Sequence, residues 1–397
     1  MAIKDPDSLL STILVAIVTH SHCVHIDLKN FNWSRQQVAE RVRKEAVDQL
    51  SNVLFEMEST VELCFCLWVL ANIHIYVLHI RQARIYSSLC WRMAIELKSV
   101  YLPVLQNPTQ FNPVECIRAE TWRRLLYMIR YLEYNMCMVH DECKDMSPVA
   151  HHIEVGFPMV LACERSTPAV LNAVLSFHFV ARLTVNAANP SFVSSETELL
   201  GLKLITGGLD NVSSLLYHRL ETGLLALWKS IPAWMQVGNG PFHYTESQDI
   251  KCREPTILRM NGVYYVYWMT LQARLMQYPS TTDLKGASLE RMDGDRALII
   301  TSIATDTITK IFERLHALLP CSLEMHWLTM CVDVLKLLSI SIHPTIKEKA
   351  DTNIKILMGI VQEHLCSITG KNQCKNSPST PFLNEMKQRL ENLYKCT

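Results

Sequence analysis

The chain has 397 residues, with 38 basic and 38 acidic side chains that give a formal net charge of zero. Hydrophobic residues make up 49% of it, which is enough to bury a sizeable core. It has no surplus of positive charge, whereas a surface that holds DNA or RNA by its phosphates needs one. With only 12 glycines, tight turns between strands are disfavoured and helices are favoured. We therefore expect an all-α fold, a large irregular multi-helix domain.

The 14 cysteines are scattered along the chain, and several lie inside apolar stretches. Examples are Cys64, Cys66, Cys90, Cys137 and Cys331. Cysteines in this setting behave as small buried apolar residues. We therefore expect reduced thiols and no disulfide framework.

In the first half of the chain, apolar residues recur at helical spacing. The apolar run from Leu9 to Val18 lacks the basic stretch and the cleavage site of a signal peptide. The run from Val61 to Ile80 is long enough to cross a bilayer, but Glu62, Asn72 and two histidines interrupt it, so we expect a buried helix. Helices are predicted over residues 36–57, 58–80, 82–97 and 113–138.

The second half continues the helical pattern and closes with a separate helix. Helices are predicted over residues 167–186, 195–209, 212–229, 256–278, 295–319, 322–342 and 344–368. We assign residues 1–369 to one regulatory domain and 370–380, rich in Asn, Lys, Ser and Pro, to a linker. Residues 381–397 are predicted to form an amphipathic helix, a candidate docking element for a partner. Its apolar face comprises Phe382, Leu383, Met386, Leu390 and Leu393.

An acidic patch from Asp141 to Asp145 follows an apolar helix. Carboxylates at this spacing can hold Mg²⁺ against a diphosphate, as in all-helical terpene synthases. Such enzymes need a second metal motif, but the stretch near Asp210 offers Ser214 and then His218 where a glutamate is required. The pattern favours a solvated helix end, and a Mg²⁺-dependent terpene-synthase-like enzyme is the alternative.

Two histidine groups were considered as zinc ligands. The first is His20, His22 and His25 with Cys23, and the second is His151 with His152. Their spacing matches no established zinc pattern. The sequence also contains no glycine-rich phosphate loop, no nucleophile elbow and no His-Glu-x-x-His motif. No catalytic residue, metal ligand or cofactor is therefore predicted.

Several short motifs occur in a recognisable order. They are Arg92-Met93-Ala94 after a stretch that contains Ser87 and Trp91, Glu120-Thr121-Trp122-Arg123-Arg124, the segment His152 to Phe157-Pro158, Trp228 to Pro232, and Met260-Asn261-Gly262. In this order and spacing they resemble the middle homology region of fungal-specific transcription factors, the regulatory domain of the zinc binuclear cluster proteins. The likeness covers roughly residues 36–342. The six-cysteine pattern of the DNA-binding cluster does not occur in this sequence. At two further places, Glu133 and Ala273-Arg274, the sequence departs from the residues that are usual in the family.

The resemblance implies a nuclear regulator of transcription, with the cytoplasm as the alternative location. Such a chain would act through a protein partner, which is either a DNA-binding transcription factor or part of the transcription machinery. Neither direct sequence-specific DNA binding nor association with a membrane is expected. Some regulators of fungal secondary-metabolite clusters, including one from trichothecene clusters, lack a zinc cluster, and control of such a cluster is the expected role. A small-molecule effector in the helical core is compatible with this role.

The motif residues are expected to have a structural or regulatory role. They are Arg92, Met93, Ala94, Glu120, Trp122, Arg123, Arg124, Trp228 and Pro232. Arg123 and Arg124 lie beside aromatic residues, and we expect them to pair with a buried carboxylate such as Glu96 or Glu120. Ligand sensing or contact with a partner is the alternative role for the two arginines.

Overall fold

The computed structural model describes residues 8–20, 35–54, 58–77, 79–140, 155–184, 214–243, 250, 252–276, 294–320, 323–369 and 380–396. Within these ranges the chain is helical, with short 3-10 turns and no strand, so the all-α prediction is confirmed. None of the described helices combines the length and the apolar character that crossing a bilayer requires.

The described residues form thirteen α-helices. They are α1 Leu9–His20, α2 Arg35–Val53, α3 Val61–Tyr76, α4 Ile80–Glu96, α5 Lys98–Gln106, α6 Pro113–His140, α7 Pro168–Thr184, α8 Ser214–Ser230, α9 Pro255–Met276, α10 Gly294–Leu318, α11 Met325–Ser339, α12 Pro344–Thr369 and α13 Thr380–Cys396. The predicted helix at 195–209 and the linker at 370–379 lie outside the described residues.

The chain divides into two compact units. Unit 1 comprises Met1–Met136, Glu154–Gly156 and Gln362–Glu385. Unit 2 comprises Cys137–Ile153, Phe157–Val361 and Met386–Thr397. The domain boundaries drawn from the sequence stay a prediction.

In unit 1, the apolar helix α3 lies at the centre of the core, packed against α1 and α4. The side chain of Thr60 caps its first turn by accepting the Leu63 N–H at 3.1 Å, which satisfies one backbone donor that the helix leaves open. Trp122 and Ile129 of α6 complete the same core. Because α3 is apolar on nearly every side, it is stable only when surrounded by other helices.

Two helices of unit 1 were not predicted. The apolar run that begins at Leu9 is α1, which buries its serines and threonines and exposes Val15 and Val18. Helix α5 follows α4 after a turn at Leu97 and carries Pro103 inside it. A proline there removes one backbone hydrogen bond, but α5 lies at the surface, where water can satisfy the freed carbonyl.

In unit 2, α9 packs against α7, α10 and α11. Helix α10 is buried over nearly all of its length although it is rich in threonine. Each of Thr301, Thr305 and Thr309 donates its hydroxyl to the carbonyl four residues earlier at 2.8 to 2.9 Å. Lys310 and Asp306 pair at 2.8 Å. The polar groups are therefore satisfied within the helix, and this lets α10 occupy the core.

Helix α13 was predicted as an amphipathic helix and as a docking element. The structure has the helix, but four of the five residues of its predicted apolar face are buried, and the fifth, Leu393, is half-buried. The buried residues are Phe382, Leu383, Met386 and Leu390. Arg389 pairs with Asp333, and the ammonium of Lys355 lies 5.4 Å from the centre of the Tyr394 ring. Because the apolar face is occupied, it is not available to a partner in this structure.

The predicted buried thiols are found at four positions. Cys64, Cys66, Cys90 and Cys331 are free and buried. The Cys90 thiol donates to the Cys64 carbonyl at 3.0 Å. Burial raises the pKa of Cys66 to about 12 and that of Cys331 further, so both thiols stay protonated at neutral pH. The side chain of Cys137 lies outside the described residues.

Candidate functional site

The arginine motif of α6 is built around the buried carboxylate of Glu120. Helical spacing of three and four residues places Arg123 and Arg124 on the same face as Glu120. Arg123 Nη2 pairs with Glu120 Oε2, and Arg124 Nε lies 3.0 Å from Glu120 Oε1. Of the two carboxylates expected to pair with these arginines, Glu120 makes both contacts. Glu96 is exposed and accepts the Ser59 hydroxyl at 2.6 Å.

The same motif holds the segment that follows α6 in unit 1. Arg123 Nη1 donates to the Val155 carbonyl at 3.4 Å, and the Tyr127 hydroxyl donates to the Gly156 carbonyl at 3.0 Å. Gly156 has a φ of 69°, a left-handed conformation that glycine adopts without steric cost. Burial raises the pKa of Tyr127, which keeps its hydroxyl protonated as a donor. The motif therefore holds the backbone of Val155 and Gly156 against α6.

The other unit 1 motif residues separate into core and surface. Trp122 is fully buried and donates its indole N–H to the Ala94 carbonyl at 2.7 Å, which joins α6 to α4. Met93 is half-buried and packs against the same core. Arg92 is exposed. The structure thus brings Ala94 and Trp122 together and leaves Arg92 on the surface.

We call Glu120, Arg123, Arg124, Tyr127 and the backbone of Val155–Gly156 the α6 clamp. Its charged groups face one another, and its phenol donates to a backbone carbonyl. These contacts stabilise a fixed geometry, although the described residues offer no partner to the buried Nε of Arg123. The structural role that the sequence favours for the two arginines stays a prediction.

In unit 2, Trp228 lies near the end of α8, and Pro232 belongs to the turn that follows this helix. The buried Trp228 ring lies 4.9 Å from the Tyr264 ring, between centroids. Half-buried Pro232 precedes the short 3-10 helix Ala233–Met235. Gln236 Nε2 donates to the Trp228 carbonyl at 3.0 Å and to a second carbonyl of the turn at 2.8 Å. Trp228 therefore anchors the turn to the core, and Gln236 closes it.

Asn261 of α9 fixes the same turn from the opposite side. Its Nδ2 donates to the carbonyls of Met235 and Ile257 at 2.8 Å, and its Oδ1 accepts the Val237 N–H at 3.0 Å. Asn261 is fully buried, whereas Trp234 in the middle of the turn is 57% exposed. The turn is thus a rigid support that presents an indole ring to solvent. We call residues 231–237 the Trp234 turn.

A buried polar cluster in unit 2 was not predicted. Glu221 of α8 is buried, and its Oε1 accepts the Tyr217 hydroxyl at 2.8 Å and Gln272 Nε2 at 2.6 Å. Arg296 Nη1 of α10 lies 2.8 Å from the same oxygen, and this contact raises the pKa of Arg296. Only the i, i+4 spacing of Tyr217 and Glu221 is visible in the sequence, because the other two partners are distant along the chain.

Most residues of the metal sites considered from the sequence lie outside the described residues. Asp141 to Asp145, Asp210, Cys23 and every considered histidine except His20 lie there. His218 is described and exposed. Among the residues that the structure covers, no group of three or more His, Cys, Asp or Glu side chains could hold a metal ion.

Compared with known proteins, the chain matches no family model, no curated protein and no solved structure. The resemblance to the fungal regulatory domain therefore stays a hypothesis.

Proposed function

We propose that this chain is a regulator of transcription that acts through protein contacts, in the nucleus, on the genes of a fungal secondary-metabolite cluster. The observation that carries the proposal is the α6 clamp. Three of the stretches that carry the resemblance are in contact at the clamp or next to it. Arg123 and Tyr127 of α6 bond to the backbone of Val155–Gly156, and Trp122 bonds to the Ala94 carbonyl of α4. This agreement between motif order and contact supports a shared architecture with the family that the motifs resemble.

A protein partner is favoured over direct DNA binding by charge and composition. The formal net charge is zero, and these 397 residues contain no six-cysteine cluster pattern. Affinity for DNA comes largely from the neutralisation of phosphates by Lys and Arg. The partner in this proposal is a protein that itself contacts DNA or the transcription machinery.

The Trp234 turn is the proposed contact point. Tryptophan is enriched among the residues that dominate binding energy in protein interfaces, because its ring buries a large area and loses few rotamers. Trp234 is exposed, and Asn261 and Gln236 donate hydrogen bonds to the Met235 and Ile231 carbonyls of the same turn. A turn whose backbone is already held loses little conformational freedom when a partner covers it.

The test begins with deletion of the gene followed by transcript profiling. We expect the transcript levels of a coherent set of biosynthetic genes to change, and the reintroduced wild-type gene to restore those levels. The Trp234→Ala variant should restore the transcript levels poorly. Val100→Ala, a control at a position in unit 1 with the same 57% exposure, should restore them fully. Circular dichroism melts must show that both variants fold.

Three results would contradict the proposal. Unchanged transcripts after deletion would remove the regulatory role. Tight, sequence-selective DNA binding by the purified chain would remove the need for a partner. Mg²⁺-dependent turnover of a prenyl diphosphate, abolished by Asp141→Ala or Asp145→Ala, would establish the enzyme alternative.

A further inference from the structure

Unit 1 buries an imidazole for which the described residues supply no hydrogen-bond partner. This is His74 of α3, which is 3% exposed, and within the described part of the chain neither Nδ1 nor Nε2 has a partner. Its ring stacks on Tyr86 of α4, with 5.3 Å between centroids and an interplanar angle of 27°. The ring of the exposed His79 lies 5.7 Å away. A neutral imidazole fits this buried setting, but an imidazolium needs hydrogen-bond acceptors, and the described residues provide none to either ring nitrogen.

A second buried imidazole comes from the neighbouring helix. His20, the last residue of α1, is 4% exposed, and its Nδ1 lies 2.8 Å from the Ala16 carbonyl. Its Nε2 is buried, and the described residues supply it with no hydrogen-bond partner. Helix α1 packs against α3, and a positive charge on His20 lowers the pKa of His74.

Helix α2, which packs against α1, adds a fixed ion pair to this cluster. Arg43 Nη2 lies 2.5 Å from Glu40 Oε2. The positive charge of Arg43 disfavours a second cation at His74, and Glu40 opposes that effect more weakly. Four ionisable groups and one further ring therefore surround His74. Arg43 and Glu40 come from α2, and His20 comes from α1. His79 directly precedes α4, and Tyr86 belongs to α4.

We propose that His20 and His74 form an acid latch, through which α1 loosens reversibly from α3 as the pH falls from 7 to 5. The packed state holds both imidazoles neutral, and the opened state lets them take up protons in water. Acid therefore favours opening by mass action.

The direction and size of the effect follow from proton linkage. Burial, then Arg43, lowers the pKa of His74 from 6.5 to about 4. Burial also lowers the pKa of His20. The opened state thus binds more protons at every pH between about 4 and 6.5, and packing weakens as the pH falls through that window. For His74 alone, the opening equilibrium should rise roughly twentyfold between pH 7 and pH 5.

The test is hydrogen exchange of the full chain at pH 7 and pH 5, read by mass spectrometry on peptides of α1 and corrected for intrinsic exchange. A local readout is needed because burial also lowers the pKa of His326, in unit 2, to about 4. We expect α1 protection to fall by at least about tenfold in acid and to recover when the pH is raised again.

Variants separate the latch from general acid instability. His74→Phe keeps the stacking on Tyr86 without a titrating group, and His74→Met is a second choice should the larger ring not fit. Either should reduce the acid effect on α1 well below that of the wild type, because only His20 then titrates. His20→Gln should lower the effect below that of the wild type. His343→Asn, a control at an exposed position in unit 2, should leave it unchanged. Equal acid loosening in the wild type and both His74 variants, or α1 protection that does not change with pH, would overturn the acid latch.

Discussion

The ring of Trp327 lies directly against the backbone of Gly262. A Cβ added at Gly262 would lie 2.5 Å from Cζ3 and 2.7 Å from Cη2 of that ring. Trp327 is fully buried, and Phe312 of α10 packs edge-on against it with 6.0 Å between centroids. The buried ring is thus packed against both Gly262 and Phe312, and α9 and α11 approach this closely because position 262 has no side chain.

Gly262→Ala should destabilise unit 2. Alanine is the better helix former by about 1 kcal/mol, but the added methyl group would clash with a fixed ring. Overpacking of this kind costs about 1 to 3 kcal/mol, so we expect a net loss of unfolding free energy. Urea denaturation followed by circular dichroism measures the difference.

Gly359→Ala in α12 is the matched control, because nothing lies within 4 Å of its added Cβ. It should stabilise the chain by about 0.5 to 1 kcal/mol. If both alanine variants proved more stable than the wild type, the close contact between Gly262 and Trp327 would be wrong.

Removal of the charge at Glu120 should destabilise unit 1 strongly. Glu120→Gln keeps the size of the side chain but leaves the buried Arg123 guanidinium without its counter-charge. Breaking a buried ion pair at one partner costs about 3 to 5 kcal/mol. The thermal midpoint and the urea midpoint should both fall.

Glu96→Gln provides the comparison, since Glu96 is an exposed glutamate of α4 in the same unit. Its effect should stay within about 0.5 kcal/mol. Similar effects for Glu120→Gln and Glu96→Gln would show that the α6 clamp does not stabilise the fold.

The helical architecture was predictable because its signal is local. Apolar spacing predicted most of the helices. The sequence suggested Glu96 or Glu120 as the partner of Arg123 and Arg124, and Glu120, at helical spacing of three and four residues, makes both contacts. The pattern failed at α5, because Pro103 is a typical end of a helix and only its place at the surface makes it tolerable inside one. It also failed at α1, where an apolar run of ten residues did not distinguish a helix from other buried structure.

The long-range contacts of the candidate site were not predictable. The carbonyls of Val155 and Gly156, which complete the α6 clamp, carry no sequence signature. In the sequence, His74 is only an interruption of an apolar run, and the groups that act on its charge are distant along the chain. Asn261 gave a clearer signal, because an amide inside an apolar helix needs partners, but the sequence does not say which.

Loss of the Asn261 side chain should release the Trp234 turn. Asn261→Ala leaves the Val237 N–H and the Met235 carbonyl buried without their partner. Each unsatisfied buried group costs about 1 to 3 kcal/mol, so we expect a loss of about 2 to 4 kcal/mol in unfolding free energy. Faster hydrogen exchange of residues 233–237 would locate the effect.

Asn239→Ala, at an exposed position just beyond the turn, should change stability by less than about 0.5 kcal/mol. Under the proposed function, Asn261→Ala should also restore the transcripts of the deletion strain poorly, as expected for Trp234→Ala. A turn that stays protected in Asn261→Ala would contradict its role as the support.

Thiol labelling should distinguish exposed from buried cysteines. Cys163 is exposed, whereas Cys66 and Cys331 are buried. The thiolate is the reactive form, and burial raises the pKa of Cys66 to about 12. At pH 7.5, N-ethylmaleimide should therefore modify Cys163 in the native chain and leave the two buried thiols unmodified, as mapped by mass spectrometry. Raising the pH to 9 should still leave Cys66 protonated and unlabelled, and urea should expose it to reaction. Labelling of Cys66 as fast as Cys163 in the native chain would mean that the packing of α3 in unit 1 is wrong.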